Sequence, residues 1–215
     1  MTVRLGPLLV EAVDPVAVES FWAAALGVPA QRALVSFRQE QRPKTVKNRV
    51  HLDVYARDIA PLLDLGARVL ARHAQRVTLA DIEGNEFCAF ADPAADDRPP
   101  ARVFAVCTDS DKPEELAAWW AGLVGAEVRD GPDGTPRWLY GCAGWEGLIW
   151  KFVRVVDEPL ARRADGNDER VVPNRWQWTL RADPSELGVR RSPDGALIDP
   201  QGNEFSVAPR TYPAG

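Results

Sequence analysis

Residues 81–90 read DIEGNEFCAF and residues 199–208 read DPQGNEFSVA. Each begins with an aspartate, turns at a Gly-Asn pair, and continues as alternating apolar and polar residues, which reads as a tight turn feeding a strand. Working outward, each is preceded at similar distance by a second echo. "NRVHLDVYARD" (48–58) alternates Val50, Leu52 and Val54 with Arg49, His51 and Asp53, the period of a half-buried strand, and "NRWQWTLRAD" (174–183) restarts the same phrase. Further out, "DPVAVESFWAAALG" (14–27) reads as a helix with proline in its first turn and a glycine stop, and "KPEELAAWWAGLVG" (112–125) repeats it. Trp22 and the pair Trp119–Trp120 fall on the apolar stripes of these helices.

The repeat is therefore of whole domains, each made of two similar half-domains. Residues 1–92 form the first domain and 102–210 the second. Residues 93–101 form the linker, part of the proline-rich, charged stretch "ADPAADDRPPAR" (91–102). At 215 residues the chain has room for two units of about 100 residues, each expected to bury its own core. Between the anchors, "PLLVEAV", "ALVSFRQE", "RVFAVCT", "RWLYGCA" and "GLIWKFVRVV" read as strands and "IAPLLDLGARVLAR" (59–72) as a helix. "DEPLARRADGNDERVVP" (157–173) reads as a polar loop.

Composition narrows the function classes. A formal net charge of -5 argues against a phosphate-backbone grip, which needs a clustered positive surface, so no nucleic acid partner is expected. No apolar run reaches membrane-spanning length and the N-terminal stretch turns acidic too soon for a leader, so no membrane partner is expected and the location is read as cytoplasmic. Three cysteines, Cys88, Cys107 and Cys142, form no C-x-x-C pair and fit a reducing compartment. Cys107 and Cys142 read as small buried hydrophobes.

The series FWAAALG, KNRVHLDVYARD and DIEGNEF, repeated as WWAGLVG, NRWQWTL and DPQGNEF, resembles the vicinal-oxygen-chelate superfamily in its glyoxalase-like branch, which also holds bleomycin-resistance proteins and extradiol dioxygenases. The resemblance implies an α+β fold of paired βαβββ modules whose curled sheets enclose a cleft. In the enzymes of that superfamily it further implies a divalent metal on His or Gln of a module's first strand and Glu of its last strand, three residues after the turn asparagine. His51 matches a first-strand ligand, but three on from Asn85 stands Cys88. In the second copy Gln177 and Ser206 take these places. Around Pro7 and Leu9, and around Arg102 and Phe104, no ligand stands at the expected depth. The expectation is therefore of no bound metal and no cofactor, since such an ion wants three or four well-placed donors.

What repeats and what changes between the copies separates roles. Arg49 with Glu86, and Arg175 with Glu204, recur and are expected to form cross-strand ion pairs. His51 and Cys88 become Gln177 and Ser206 and are expected to line the clefts. His51 and Glu86 are the candidate catalytic residues, His51 because an imidazole suits proton transfer near neutrality, with Asp53 or Glu86 orienting it. Asp53, Cys88, Gln177, Ser206, Trp138 and Trp150 are the candidate ligand-binding residues, the tryptophans because aromatic walls accept flat ligands. Seven of the eight tryptophans lie in the second domain. The function expected is binding of a small organic molecule without a metal, sequestering or transforming it. A metal-dependent lyase, isomerase or dioxygenase is the alternative, and a purely structural or regulatory module the third reading. A monomer is preferred to a homodimer, because tandem duplication supplies the pairing within one chain.

Overall fold

The computed structural model describes residues 3–93, 99–155, 174–183, 187–192 and 195–208. Its first half runs β1 (Arg4–Leu5), β2 (Leu8–Ala12), α1 (Pro15–Leu26), α2 (Val28–Leu34), β3 (Val35–Gln39), β4 (Val50–Ala56), α3 (Ala60–Asp64), β5 (Arg68–Arg72), β6 (Val77–Ala80) and β7 (Glu86–Ala91). The second half runs β8 (Arg102–Ser110), α4 (Pro113–Val124), β9 (Glu127–Asp130), β10 (Pro136–Tyr140), β11 (Ile149–Arg154), β12 (Trp176–Arg181), β13 (Arg190–Arg191), β14 (Leu197–Ile198) and β15 (Glu204–Ala208).

The helix signals in the sequence correspond to real caps. The Asp14 side chain accepts from the Ala17 amide at 3.0 Å and Pro15 opens α1. Gly125 closes α4 in the left-handed region, at φ 68°. The helix expected over 59–72 stops early. Gly66 turns the backbone at φ 103°, and residues 68–72 instead pair with β6 as an edge strand, so sheet pairing overrides their local helical preference.

Two sheets hold the molecule, and each draws on both halves. One runs β5-β6-β7-β4-β8-β11-β10-β9; the other runs β13-β14-β15-β12-β2-β3, with β1 also paired to β12. The first strands of unlike modules lie antiparallel at the middle of each sheet, β4 beside β8 and β12 beside β2. Each is flanked on its other side by the last strand of its own module in parallel, β4 by β7, β8 by β11, β12 by β15 and β2 by β3. The modules are thus exchanged between halves, and two separate cores do not form. The buried side chains make one continuous cluster, crossed by the Trp22–Trp176 edge contact at 5.8 Å between ring centroids.

The repeated turn explains the repeated phrase. Asp81 accepts from the amides of Glu83 (3.0 Å) and Asn85 (2.9 Å) and from the Asn85 side chain, while Trp22 of α1 donates its indole N–H to the same carboxylate at 3.1 Å. Asp199 does the same with Gln201, Asn203 and Trp120 of α4. Gly84 and Gly202 sit at φ 87° and 78°, where a side chain would be strained. Each buried carboxylate therefore ties the helix of one module to the turn of the next. The D-x-x-G-N phrase is architecture.

The expected Arg49–Glu86 pair is replaced by other partners. Glu86 is bound by Lys44 at 2.6 Å and by the Asn48 amide, and Arg49 reaches across to Asn203 of the other sheet at 2.6 Å. Arg175 donates to the Glu11 carbonyl. Arg49 thus serves the contact between the sheets, whereas Arg175 extends the β12–β2 pairing within one sheet. No helix among the described residues is long and apolar enough to cross a membrane.

Candidate functional site

On β4, Val50, Leu52 and Val54 are fully buried beneath the helices, which leaves His51, Asp53 and Tyr55 on the opposite face of the sheet. Residues directly opposite across neighbouring strands share a face. The register therefore sets Thr78, Cys88 and Asp53 in one row and His51, Cys107, Lys151 and Trp138 in the next. Six strands from both halves meet in this patch. It floors a cleft of about 470 Å³, whose walls include Phe90, Arg137 and Trp138.

A bulge shapes the site. Asp53 pairs with Ala105 while Val54 pairs with Val103, leaving Phe104 as the extra residue on β8. Simple alternation from Cys107 and Ala105 would point Phe104 toward the core. The bulge brings it to the cleft face instead, stacked on Tyr55 at 4.0 Å and 4.4 Å from the Lys151 ammonium. Phe90 and Trp138 complete an aromatic box around that ammonium, at 5.6 and 5.1 Å. The rings present negative faces to the cation.

Charge converges on Asp53, a buried carboxylate only 4 % exposed. Its Oδ2 receives Lys151 Nζ at 2.9 Å and the Cys107 thiol at 3.1 Å, while Oδ1 lies 3.6 Å from His51 Nε2. Burial alone would raise the Asp53 pKa, but His51 and Lys151 hold it below the ordinary value. For His51, burial opposes the charged form. The Cys107 sulfur, the Asp53 carboxylate and the Cys88 thiol outweigh it and hold the imidazole pKa well above 6.5. Burial pushes the Cys107 thiol up to about 11, so it is neutral near pH 7, and Asp53 is the anion that sustains the imidazolium. Cys88 is poised the other way. Burial opposes its ionisation too, but hydrogen bonding to and charge from His51 bring its thiol below 9.0, and Thr78 Oγ1 stands 3.8 Å from its sulfur.

His51, Asp53 and Cys88 present nitrogen, oxygen and sulfur atoms all within 4.8 Å of one another. Such a donor set is of the kind zinc accepts.

Among the residues singled out in the sequence, His51, Asp53, Cys88 and Trp138 meet in this cleft. Glu86 lies at its edge, engaged by Lys44, and is not within the cluster. Trp150 is elsewhere: it is fully buried under the sheet against Trp120 and Phe152, because its strand position alternates with that of Lys151. Gln177 and Ser206 belong to the other sheet; the Gln177 side chain is nearly buried and donates to the Asn174 carbonyl, and Ser206 is solvent-exposed. Lys151 and Cys107 went unnoticed in the sequence as site residues. Lys151 carries a signal, being the one charge within the otherwise apolar run "LIWKFV" (148–153).

The family profile described as "Glyoxalase-like domain" matches residues 8–90 and 105–208. A search of curated proteins finds no match. Among solved structures, glyoxalase I from Zea mays is similar at a TM-score of 0.58 and 11 % identity, covering 97 % of this chain and 92 % of that one. A variant of the same maize enzyme aligns at a TM-score of 0.59 and 13 % identity, covering 97 % and 94 %. At such identities the likeness is one of fold. With the profile spanning most of its length in two copies, the chain belongs to the glyoxalase-like domain family.

Proposed function

We propose that this chain binds a small organic molecule in the cleft of the eight-stranded sheet and sequesters or transforms it without a divalent metal. The observation that carries the reading is Lys151. Its ammonium lies 2.9 Å from Asp53 and stands on β11, the strand that corresponds to a metal-ligand strand in the superfamily the sequence resembles. The residues present fit such an ion poorly. A dication seated among His51, Asp53 and Cys88 would share Asp53 with a boxed ammonium at about 5 Å, a repulsion on the order of 7 kcal/mol at an effective dielectric near 20. A tethered monocation takes the place of the ion, offering the ligand a fixed positive charge and hydrogen-bond donors. His51, oriented by Asp53, moves protons to or from the bound molecule. The aromatic walls favour a flat ligand, and the ammonium favours one bearing a carbonyl or carboxylate oxygen.

A metal-dependent reading rests on the three donors within 4.8 Å, and one experiment separates the two. Protein purified without chelators or a metal-binding tag is assayed for zinc, iron and nickel beside Lys151→Met. The wild type is expected to hold no stoichiometric metal, and Lys151→Met to gain zinc affinity by at least about a hundredfold. A wild-type protein carrying near-stoichiometric metal would overturn the proposal. We also keep as proposals the division at 1–92, 93–101 and 102–210, as two sequence repeats that fold together, which the two matched stretches support, a cytoplasmic location and a monomeric state.

A further inference from the structure

Resting on that reading of the cleft, the geometry points to Cys88 as a nucleophile that captures a flat α,β-unsaturated carbonyl compound as a thioether. Cys88 lies on the cleft floor with its sulfur within 4.8 Å of donor atoms of both His51 and Asp53, and Thr78 Oγ1 is 3.8 Å away on its other side. Activation of a thiol by an imidazole that a carboxylate in turn orients is the general arrangement of a cysteine nucleophile. Lys151 holds its ammonium 2.9 Å from the same carboxylate, so thiol and ammonium both stand beside Asp53 and both line the cleft. Phe90 and Trp138 stand beside them as flat walls, and the Trp138 indole N–H is buried with no acceptor among the described residues.

The other cysteines are unsuited. Cys107 is 2 % exposed and spends its proton on Asp53. Cys142 is wholly buried in the core. Cys107 also lines the cleft beside His51, but its thiol is engaged by Asp53, which leaves Cys88 as the thiol partnered by the imidazole. Ser206, its counterpart on the other sheet, has no histidine beside it, because Gln177 stands at that place.

The chemistry balances within the site. The reacting form pairs a Cys88 thiolate with the His51 imidazolium; the thiolate sulfur forms a bond to the β-carbon, and the carbon–carbon π pair shifts to give an enolate whose oxygen faces Lys151. His51 gives its proton to the α-carbon. S–H has added across C=C, nothing is oxidised or reduced, no group leaves, and reversal by the same route releases the ligand. A soft sulfur nucleophile prefers such a carbon, and the ammonium stabilises the oxygen where charge develops.

The test uses but-3-en-2-one on the full-length native protein at pH 7, followed by intact-mass and peptide-mapping mass spectrometry. One adduct per chain is expected, on Cys88, forming at least about tenfold faster than on the urea-unfolded chain. Cys88→Ser should abolish it, His51→Gln should slow it by about tenfold or more, and Cys142→Ala should leave it unchanged. First labelling at Cys107, or equal rates for native and unfolded protein, would overturn the inference. So would reversible quenching of tryptophan emission, lost in Trp138→Phe, with no added mass; in that case the cleft still binds and only the nucleophile falls. Neither quenching nor adduct would remove the cleft reading for this ligand class together with the nucleophile.

Discussion

The two sheets share a plan and differ in their chemistry. On the eight-stranded sheet the central face carries His51, Asp53, Cys88, Cys107 and Lys151. The same register positions on the other sheet carry Gln177, Thr179, Ser206, Leu9 and Ser36. Every ionisable member of the cluster thus has a neutral counterpart. Two strand positions further along, Glu11 and Arg38 on β2 and β3 carry charge and pair with each other. Beneath both faces the Asp-Trp ties are the same. Duplication has kept what makes the fold and confined the reactive groups to one face, so the neutral sheet serves as an internal control for the other.

The largest expected effect tests whether the cluster is a closed electrostatic unit. Asp53→Ala leaves Lys151 buried without its carboxylate and should cost about 3–5 kcal/mol in urea unfolding. Thr179→Ala, its counterpart, loses one hydrogen bond to the Pro7 carbonyl and should cost about 0.5–1.5 kcal/mol. The double change Asp53→Thr with Lys151→Ser, which transfers the neutral sheet's residues, should recover most of the larger loss. Equal losses for the two single variants would dissolve the distinction between the sheets.

Next come the turns, where the comparison predicts parity. Asp81→Ala and Asp199→Ala each strand several buried N–H donors and should each cost on the order of 3 kcal/mol, within about 1 kcal/mol of each other. Markedly unequal losses would mean that the two copies of the phrase are not equivalent supports.

Binding gives a smaller and sharper contrast. For a carbonyl or carboxylate ligand found by tryptophan quenching, Lys151→Met should weaken affinity by at least about tenfold, near 1.4 kcal/mol. Gln177→Ala and Ser206→Ala should leave it unchanged. Loss of binding through Gln177 would move the functional cleft to the other sheet.

The smallest effect is in acid. Burial works to raise the Asp53 pKa, but His51 and Lys151 keep it lowered in the folded state. Its contribution is therefore present above the ordinary carboxylate range and lost as pH falls below about 4 through the lowered folded value. Urea midpoints of the Asp53→Thr, Lys151→Ser protein should fall less steeply below pH 4 than those of the wild type. Parallel curves would mean that Asp53 is not held ionised by its neighbours.

Local features of the fold were legible because local chemistry sets them. The Asp-x-x-Gly-Asn turns, the Asp14 cap and the alternation of Val50, Leu52 and Val54 are each decided within a few residues. The site was half legible: His51, Asp53 and Cys88 lie on neighbouring strands of one module, so counting along the chain brings them together. Cys107 and Lys151 join them only through the β4–β8 pairing, which links different halves and leaves no local trace. Phe104 was hidden by a bulge, which breaks the alternation that places side chains from sequence. Trp150 was misplaced by one residue of that alternation. Residues 68–72 read as helix because nothing local announces an edge strand.

The exchange of modules has a consequence for how the chain emerges from the ribosome. β4 acquires its second neighbour only when β8 is made, and the eight-stranded sheet closes once β11 is out. β2 and β3 must wait for β12, more than a hundred residues later. Until then β2 presents an apolar strand with one open edge, a surface prone to mispairing with other nascent chains. Early synthesis of this protein should lean on chaperones, and truncation before residue 176 should yield aggregates and not a folded first domain.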